Sequence, residues 1–217
     1  MTIRRSNPHN RGFTLVELSI VLVIIGLIIG GVLTGQQIIQ NARVTNAINA
    51  IQSYGAQFQT YTQNNGAAPG DDAGAAARYP TAGLPNSASG GNGTIEGAYD
   101  AACGGTPLSS TESCLAWGDL RAAGLIKNQV PITAQPANPF NGIFGFQNGA
   151  FTGSTSALTT AVLCMSNVPG SAAVTIDTRL DDGASGTGTI QASATGATGA
   201  VAGSYDPTAT YTMCVKM

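Results

Sequence analysis

The sequence is poor in charge. Of its 217 residues, nine are Lys or Arg and eleven are Asp or Glu, giving a formal net charge of −2. No basic stripe is left to neutralise a row of phosphates, so nucleic-acid binding is not expected. Histidine is nearly absent, and the one copy, His9, lies among the first twelve residues. The rest of the chain therefore has no His-dependent triad and no His-bearing zinc site, and little remains for proton transfer near neutral pH. There is no GxxxxGK(S/T) phosphate loop, and Gly186-Thr187-Gly188 lacks the third glycine and the strand-to-helix context of a dinucleotide fingerprint. Neither an enzymatic activity nor a cofactor is expected.

Cysteine is also scarce. Cys103, Cys114, Cys164 and Cys214 all lie far from the N-terminus, and none forms a CxxC pair of the redox or zinc kind. An even count fits two disulfides in an oxidising compartment, the alternative being four buried thiols. Three pairings are open to four cysteines. Cys103 and Cys114 bracket a short segment, while Cys164 and Cys214 each sit in a strand-like run, so Cys103–Cys114 and Cys164–Cys214 are the expected pairs.

What the chain does have is an apolar N-terminal run. Residues 1–12 carry Arg4, Arg5 and Arg11 with no acid, and the sequence from Phe13 to Thr34 is almost wholly apolar. At helical rise that stretch is about 33 Å long, against about 30 Å for a bilayer's hydrocarbon core. The arginines before it, with only Arg43 soon after, place the N-terminus in the cytoplasm and the remainder outside. A secretory signal would have a shorter core and an A-x-A-like cut, which Val32-Leu33-Thr34-Gly35-Gln36 does not supply. A plain anchor does not explain Glu17. A charge at the bilayer centre costs on the order of 2.5–3.5 kcal/mol on insertion scales, so even at this shallow position the carboxylate calls for a partner or a proton.

Arg11-Gly12-Phe13-Thr14-Leu15-Val16-Glu17-Leu18 resembles the cleavage and methylation motif of type IV pilins and type II secretion pseudopilins. The resemblance implies that a membrane prepilin peptidase cuts after Gly12 and that the new N-terminus, Phe13, is N-methylated. It further implies that Glu17, fifth in the mature chain, pairs with the N-terminal amine of a neighbouring subunit. One departure is the lack of the proline that many type IV pilins carry later in the span. Gly26, Gly30, Gly31 and Gly35 stand there instead, each weakening a helix by about 1 kcal/mol relative to alanine.

The implied fold is α+β and type IV pilin-like, a long N-terminal α-helix with a transmembrane first half, packed on a small antiparallel β-sheet head with extended loops. Residues 1–12 are the expected leader, 13–35 the transmembrane and assembly half of the helix, 36–64 its amphipathic half and 65–217 the head. In the amphipathic half Val44, Ile48, Ile51, Tyr54, Phe58 and Tyr61 recur at three and four residues, marking a face that packs on a sheet. Asn64-Asn65-Gly66 is a stop signal. Residues 67–105 read as extended loops, 112–125 as a helix with Leu115, Leu120 and Ala123 inward, and 143–151 and 159–165 as strands. Residues 171–180 fit either a strand or a helix by pattern. The phrase Asp177-x-x-Leu180-Asp181-Asp182-Gly183, similar to one in pilin-like heads, favours the helix. Strands over 187–193 and 209–215 complete the head.

Asp177, Asp181 and Asp182 could offer oxygens to calcium, which some pseudopilins bind, but their spacing is not that of an EF-hand and a solvated turn is the preferred reading. Asp71 and Asp72, after Pro69-Gly70, are likewise read as turn residues, and Trp117 as core. The expected role is that of a filament subunit held in the inner membrane with its head in the periplasm, then built into a periplasmic or cell-surface filament. Its implied partners are other pilin-like subunits, the prepilin peptidase and methyltransferase, and an inner-membrane assembly platform. A pseudopilin of type II secretion is the alternative, and a membrane-anchored periplasmic binding module that keeps its leader is a third.

Overall fold

One long helix opens the described part of the chain. A computed structural model describes residues 13–87, 89–104, 108–127, 129–151, 157–197, 199 and 203–217. Helix α1 spans Leu15–Asn65 and is followed by α2 (Ala75–Arg78), a 3-10 turn (Pro80–Ala82), α3 (Glu112–Ala122), β1 (Phe144–Ala150), β2 (Leu158–Pro169), α4 (Gly170–Leu180), β3 (Ile190–Ser193) and β4 (Thr210–Lys216). The chain divides into two compact units, residues 1–42 and 43–217. The division falls within α1, so the second unit takes in residues 43–65, which carry the face expected to pack on the sheet.

In the first unit the described part of α1 leaves its large apolar side chains in the open. From Phe13 to Ile39 each is between 46 % and 88 % exposed. Such a helix, apolar all round, is not built to lie against one core face in water. Among the described residues α1 is the one helix long and apolar enough to cross a membrane. It runs unbroken through Gly26, Gly30, Gly31 and Gly35, and a Cβ at any of the four would meet nothing within 4 Å.

The second unit is built on a four-stranded antiparallel sheet in the order β1-β2-β4-β3. Period-two alternation divides its side chains between two apolar faces. Phe144, Phe146, Leu163, Met165, Tyr211, Met213, Ile190 and Ala192 belong to the cluster that contains Val44, Ala47, Ile51, Phe58 and Tyr61 of α1. Tyr54 meets Phe144 edge-on at 5.3 Å, Phe58 lies 5.4 Å from Phe146, and Trp117 of α3 lies 4.6 Å from Phe146 between ring centroids. These contacts are why the three-and-four spacing of residues 44–61 is a seam. The opposite face gathers Val162, Cys164 and Cys214 with Tyr99, Phe151, Leu158 and Ala197, so loops cover what the helices do not.

The elements match the sequence reading to within a few residues, with local causes for the differences. Residues 170–180 are helical. Helix α3 ends at Ala122 because Gly124, at φ +71°, takes the left-handed position, and Leu125 N–H returns to the Leu120 carbonyl at 2.9 Å. Strand β3 begins at Ile190, not at 187. Asp181 takes the N–H groups of Thr189 and Ile190, and Thr187 gives its hydroxyl to Asp182. Strand β2 runs on to Pro169 through an irregularity between Met165 and Val168. The 67–105 region carries α2 and the 3-10 turn within its loops.

Candidate assembly and processing site

Thr14 and Glu17 build the start of α1. Thr14 precedes the first helical residue, and its hydroxyl accepts the Glu17 N–H at 3.2 Å. Glu17 Oε2 in turn accepts the Thr14 N–H at 2.8 Å and the Thr14 hydroxyl at 2.9 Å. This reciprocal arrangement is a capping box, which the sequence reading did not identify, and it satisfies amides that the first helical turn otherwise leaves open. A carboxylate here also faces the positive end of the helix dipole. Both contacts engage a single oxygen of Glu17. Phe13 is 88 % exposed, immediately before the cap. Gly12, the expected cleavage residue, lies outside the described residues.

This geometry presents one carboxylate at the exposed end of an apolar rod. Residues 13–42 hold no other acid and no base. Such an acid suits a cation delivered from outside the chain. The capping box holds it close to where a new N-terminus would begin.

The cysteines meet as the sequence pairs them. Cys103 is bonded to Cys114, at a Cα separation of 5.1 Å, and Cys164 to Cys214, at 4.0 Å. The second bond joins directly opposed residues of β2 and β4, at the spacing of a close, non-hydrogen-bonded antiparallel pair. The first ties the loop region before α3 to the first turns of that helix.

Asp177, Asp181 and Asp182 do converge, with one oxygen from each lying within 4.8 Å of the others. Asp177 is not the solvated turn residue expected, being wholly buried in the last turn of α4. It accepts the Tyr205 hydroxyl at 2.6 Å and the Gly183 N–H at 3.2 Å. Asp181 and Asp182 hold the N–H and hydroxyl groups of residues 184–190. Carboxylate oxygens are the donors calcium takes, but here each residue already closes the turn from α4 to β3.

Asp71 and Asp72 lie among the turns after Pro69-Gly70, as expected, and both are buried. Asp71 accepts the N–H groups of Gly91, Asn92 and Gly93, and Asp72 accepts from Arg78, from the Tyr61 hydroxyl and from Gly74 N–H. Sequence reasoning missed the buried polar residues of α3. Glu112, Asp119 and Arg121 all lie inside. Arg121 donates to the carbonyls of Lys127, Ile132 and Ala134 and to Gln129 Oε1, gathering the loop after the helix. The available signal was that Glu112 and Asp119, seven residues apart, share one face of the helix while Arg121 lies opposite, which leaves no single charged solvent face.

No curated protein and no solved structure matches the chain. Residues 7–33, which contain Phe13, Thr14 and Glu17, match the family model of the prokaryotic N-terminal methylation motif, and the chain thus carries the hallmark of the prepilin-type signal found in type IV pilins and pseudopilins.

Proposed function

We propose that the chain is a structural subunit of a type IV pilus-like filament, made as a membrane-inserted precursor, cut after Gly12 and N-methylated at Phe13. The observation that carries this reading is the exposed apolar stretch of α1 with one carboxylate, Glu17, at its capped start. Before assembly the apolar run sits in the inner membrane with the head on the periplasmic side. Cleavage removes the three arginines and frees an amine at Phe13. In the filament, apolar helices exchange lipid for one another, and Glu17 neutralises a neighbour's amine in a medium where an unpaired charge is costly. The partners are other copies of the chain or related subunits, the peptidase and methyltransferase, and the inner-membrane platform that extracts the subunit. The role is architectural, with no catalytic group.

Glu17→Ala tests this. Membrane insertion is expected to remain as in the wild type, because the substitution only makes the span more apolar, while recovery of the chain in assembled filaments falls steeply. Normal incorporation of the variant would contradict the mechanism. The same signal serves pseudopilins, and shearing intact cells separates the two machines. Surface fibres come off with the shear fraction, and a periplasmic pseudopilus stays with the cells.

A further inference from the structure

Two buried carboxyls in the head, Asp72 and Asp119, have a guanidinium near them that bonds to Asp72 alone. Asp119, on α3, is 2 % exposed and Asp72, in the segment between α1 and α2, is 7 % exposed. Their donors are unevenly divided. Asp72 accepts from Arg78, from Tyr61 Oη at 2.8 Å and from Gly74 N–H at 2.8 Å, whereas Asp119 accepts from Gly70 N–H at 2.7 Å. The phenols of Tyr61, on α1, and Tyr79, beyond α2, also stand beside these groups. Other charged side chains nearby in sequence are engaged elsewhere. Arg121 turns to the 127–134 loop, Glu112 accepts from Ser87, Ser89 and Glu96 N–H, and Asp71 holds residues 91–93. With Arg78 taken by Asp72, an ionised Asp119 has no cation of its own.

The segment bearing Gly70 lies tightly on α3. Gly70 has φ +93°, and a Cβ there would run into the Glu112 carbonyl and press on Ala116. Asp119 itself is all but closed to solvent on that helix. A lone anion in such a place is strongly penalised, and two acids beside one base divide into one ionised and one protonated group.

We propose that Asp119 is a proton-dependent latch, holding the segment 66–74, where the chain leaves α1 for the head, against α3 while its carboxyl is neutral and releasing it when the proton is lost. Burial, opposed by the Gly70 N–H and reinforced by the charge on Asp72, pushes the Asp119 carboxyl up to about 7. Burial also works against ionised Asp72, but the hydrogen bonds from Arg78, Tyr61 and Gly74 outweigh it and hold that carboxyl below its ordinary range. The sign follows from linkage. The closed form binds the proton more tightly than the open one, so the latch is at full strength below the ordinary carboxylate value of 3.8. It weakens as pH rises towards 7, and above that it contributes nothing further.

The test is hydrogen exchange read by mass spectrometry on the full chain in detergent micelles, from pH 5 to 7, with rates corrected for the base-catalysed chemistry of exchange. In the wild type, opening of the 67–74 amides is expected to grow with pH, approaching roughly tenfold per unit, the limit for one linked proton. Asp119→Asn, which still offers a carbonyl to Gly70 N–H, is expected to remove that dependence. Equal opening at pH 5 and pH 7 in the wild type, or an unchanged dependence in the variant, overturns the proposal. A carboxyl carbon-13 titration of wild-type Asp119 decides the matter without any substitution. A midpoint near neutrality supports the latch, and one in the ordinary carboxylate range refutes it.

Discussion

The main-chain N–H and the hydroxyl of Thr14 both donate to one oxygen of Glu17, at 2.8 and 2.9 Å. The acid that the filament reading assigns to a neighbour's amine is thus already oriented within its own chain. Thr14→Ala is expected to weaken the start of α1 by about 1 kcal/mol, the usual worth of a side-chain cap, while Thr14→Ser keeps it. Amide exchange in the first helical turn of the micelle-bound chain reads this directly. Equal protection in the Ala and Ser variants would show that the cap is not used.

The two disulfides differ in how much chain they close. Cys164–Cys214 spans 50 residues and Cys103–Cys114 spans 11. By the chain-entropy estimate these loops are worth roughly 4 and 3 kcal/mol respectively. Replacing Cys164 and Cys214 together by Ala is therefore expected to lower the urea midpoint of the head more than replacing Cys103 and Cys114. The reverse order would place the larger stabilisation in the loop region before α3.

Asp72 predicts the acid side of the pH profile. Its carboxyl is held below the ordinary value of 3.8 by the hydrogen bonds that overcome its burial. Its contribution is present above that value and is lost as pH falls through the folded-state value. Asp72→Asn is expected to lower stability at neutral pH and to flatten the acid limb of thermal unfolding followed by circular dichroism. An acid limb as steep as that of the wild type would assign acid lability to other carboxyls.

The parts of the fold legible in the sequence are those with a one-dimensional signature. The apolar run and the three-and-four spacing of Val44 to Tyr61 each encode local geometry directly, whereas the capping pair Thr14-x-x-Glu17, equally local, went unread. The strand-like runs around Cys164 and Cys214 proved to be adjacent strands, which brought those two residues opposite each other. Residues 170–180 were ambiguous because Val174, Ile176 and Leu180 satisfy one period while Ala173, Ile176 and Leu180 satisfy the other. The buried acids were not legible. Asp71, Asp72, Asp119 and Asp177 look like turn or surface residues until long-range partners such as Tyr61, Arg78, Gly91 and Tyr205 are known, and those partners are set by tertiary packing. The grouping of residues 43–65 with the head follows from the same seam. Residues 43–65 continue the helix without a break in its pattern, and only their contacts with Trp117, Phe144 and Phe146 assign them to the head.

The proposed function rests on processing, and the mass of the mature N-terminus tests it most directly. Protein isolated from the membrane and filament fractions of its native cells is expected to begin at Phe13, with that residue carrying one N-methyl group and residues 1–12 missing. A functional mature chain that keeps Arg4, Arg5 and Arg11 ahead of an uncut Gly12–Phe13 bond would contradict it, because Phe13 would then offer no free amine for Glu17 of a neighbour to meet.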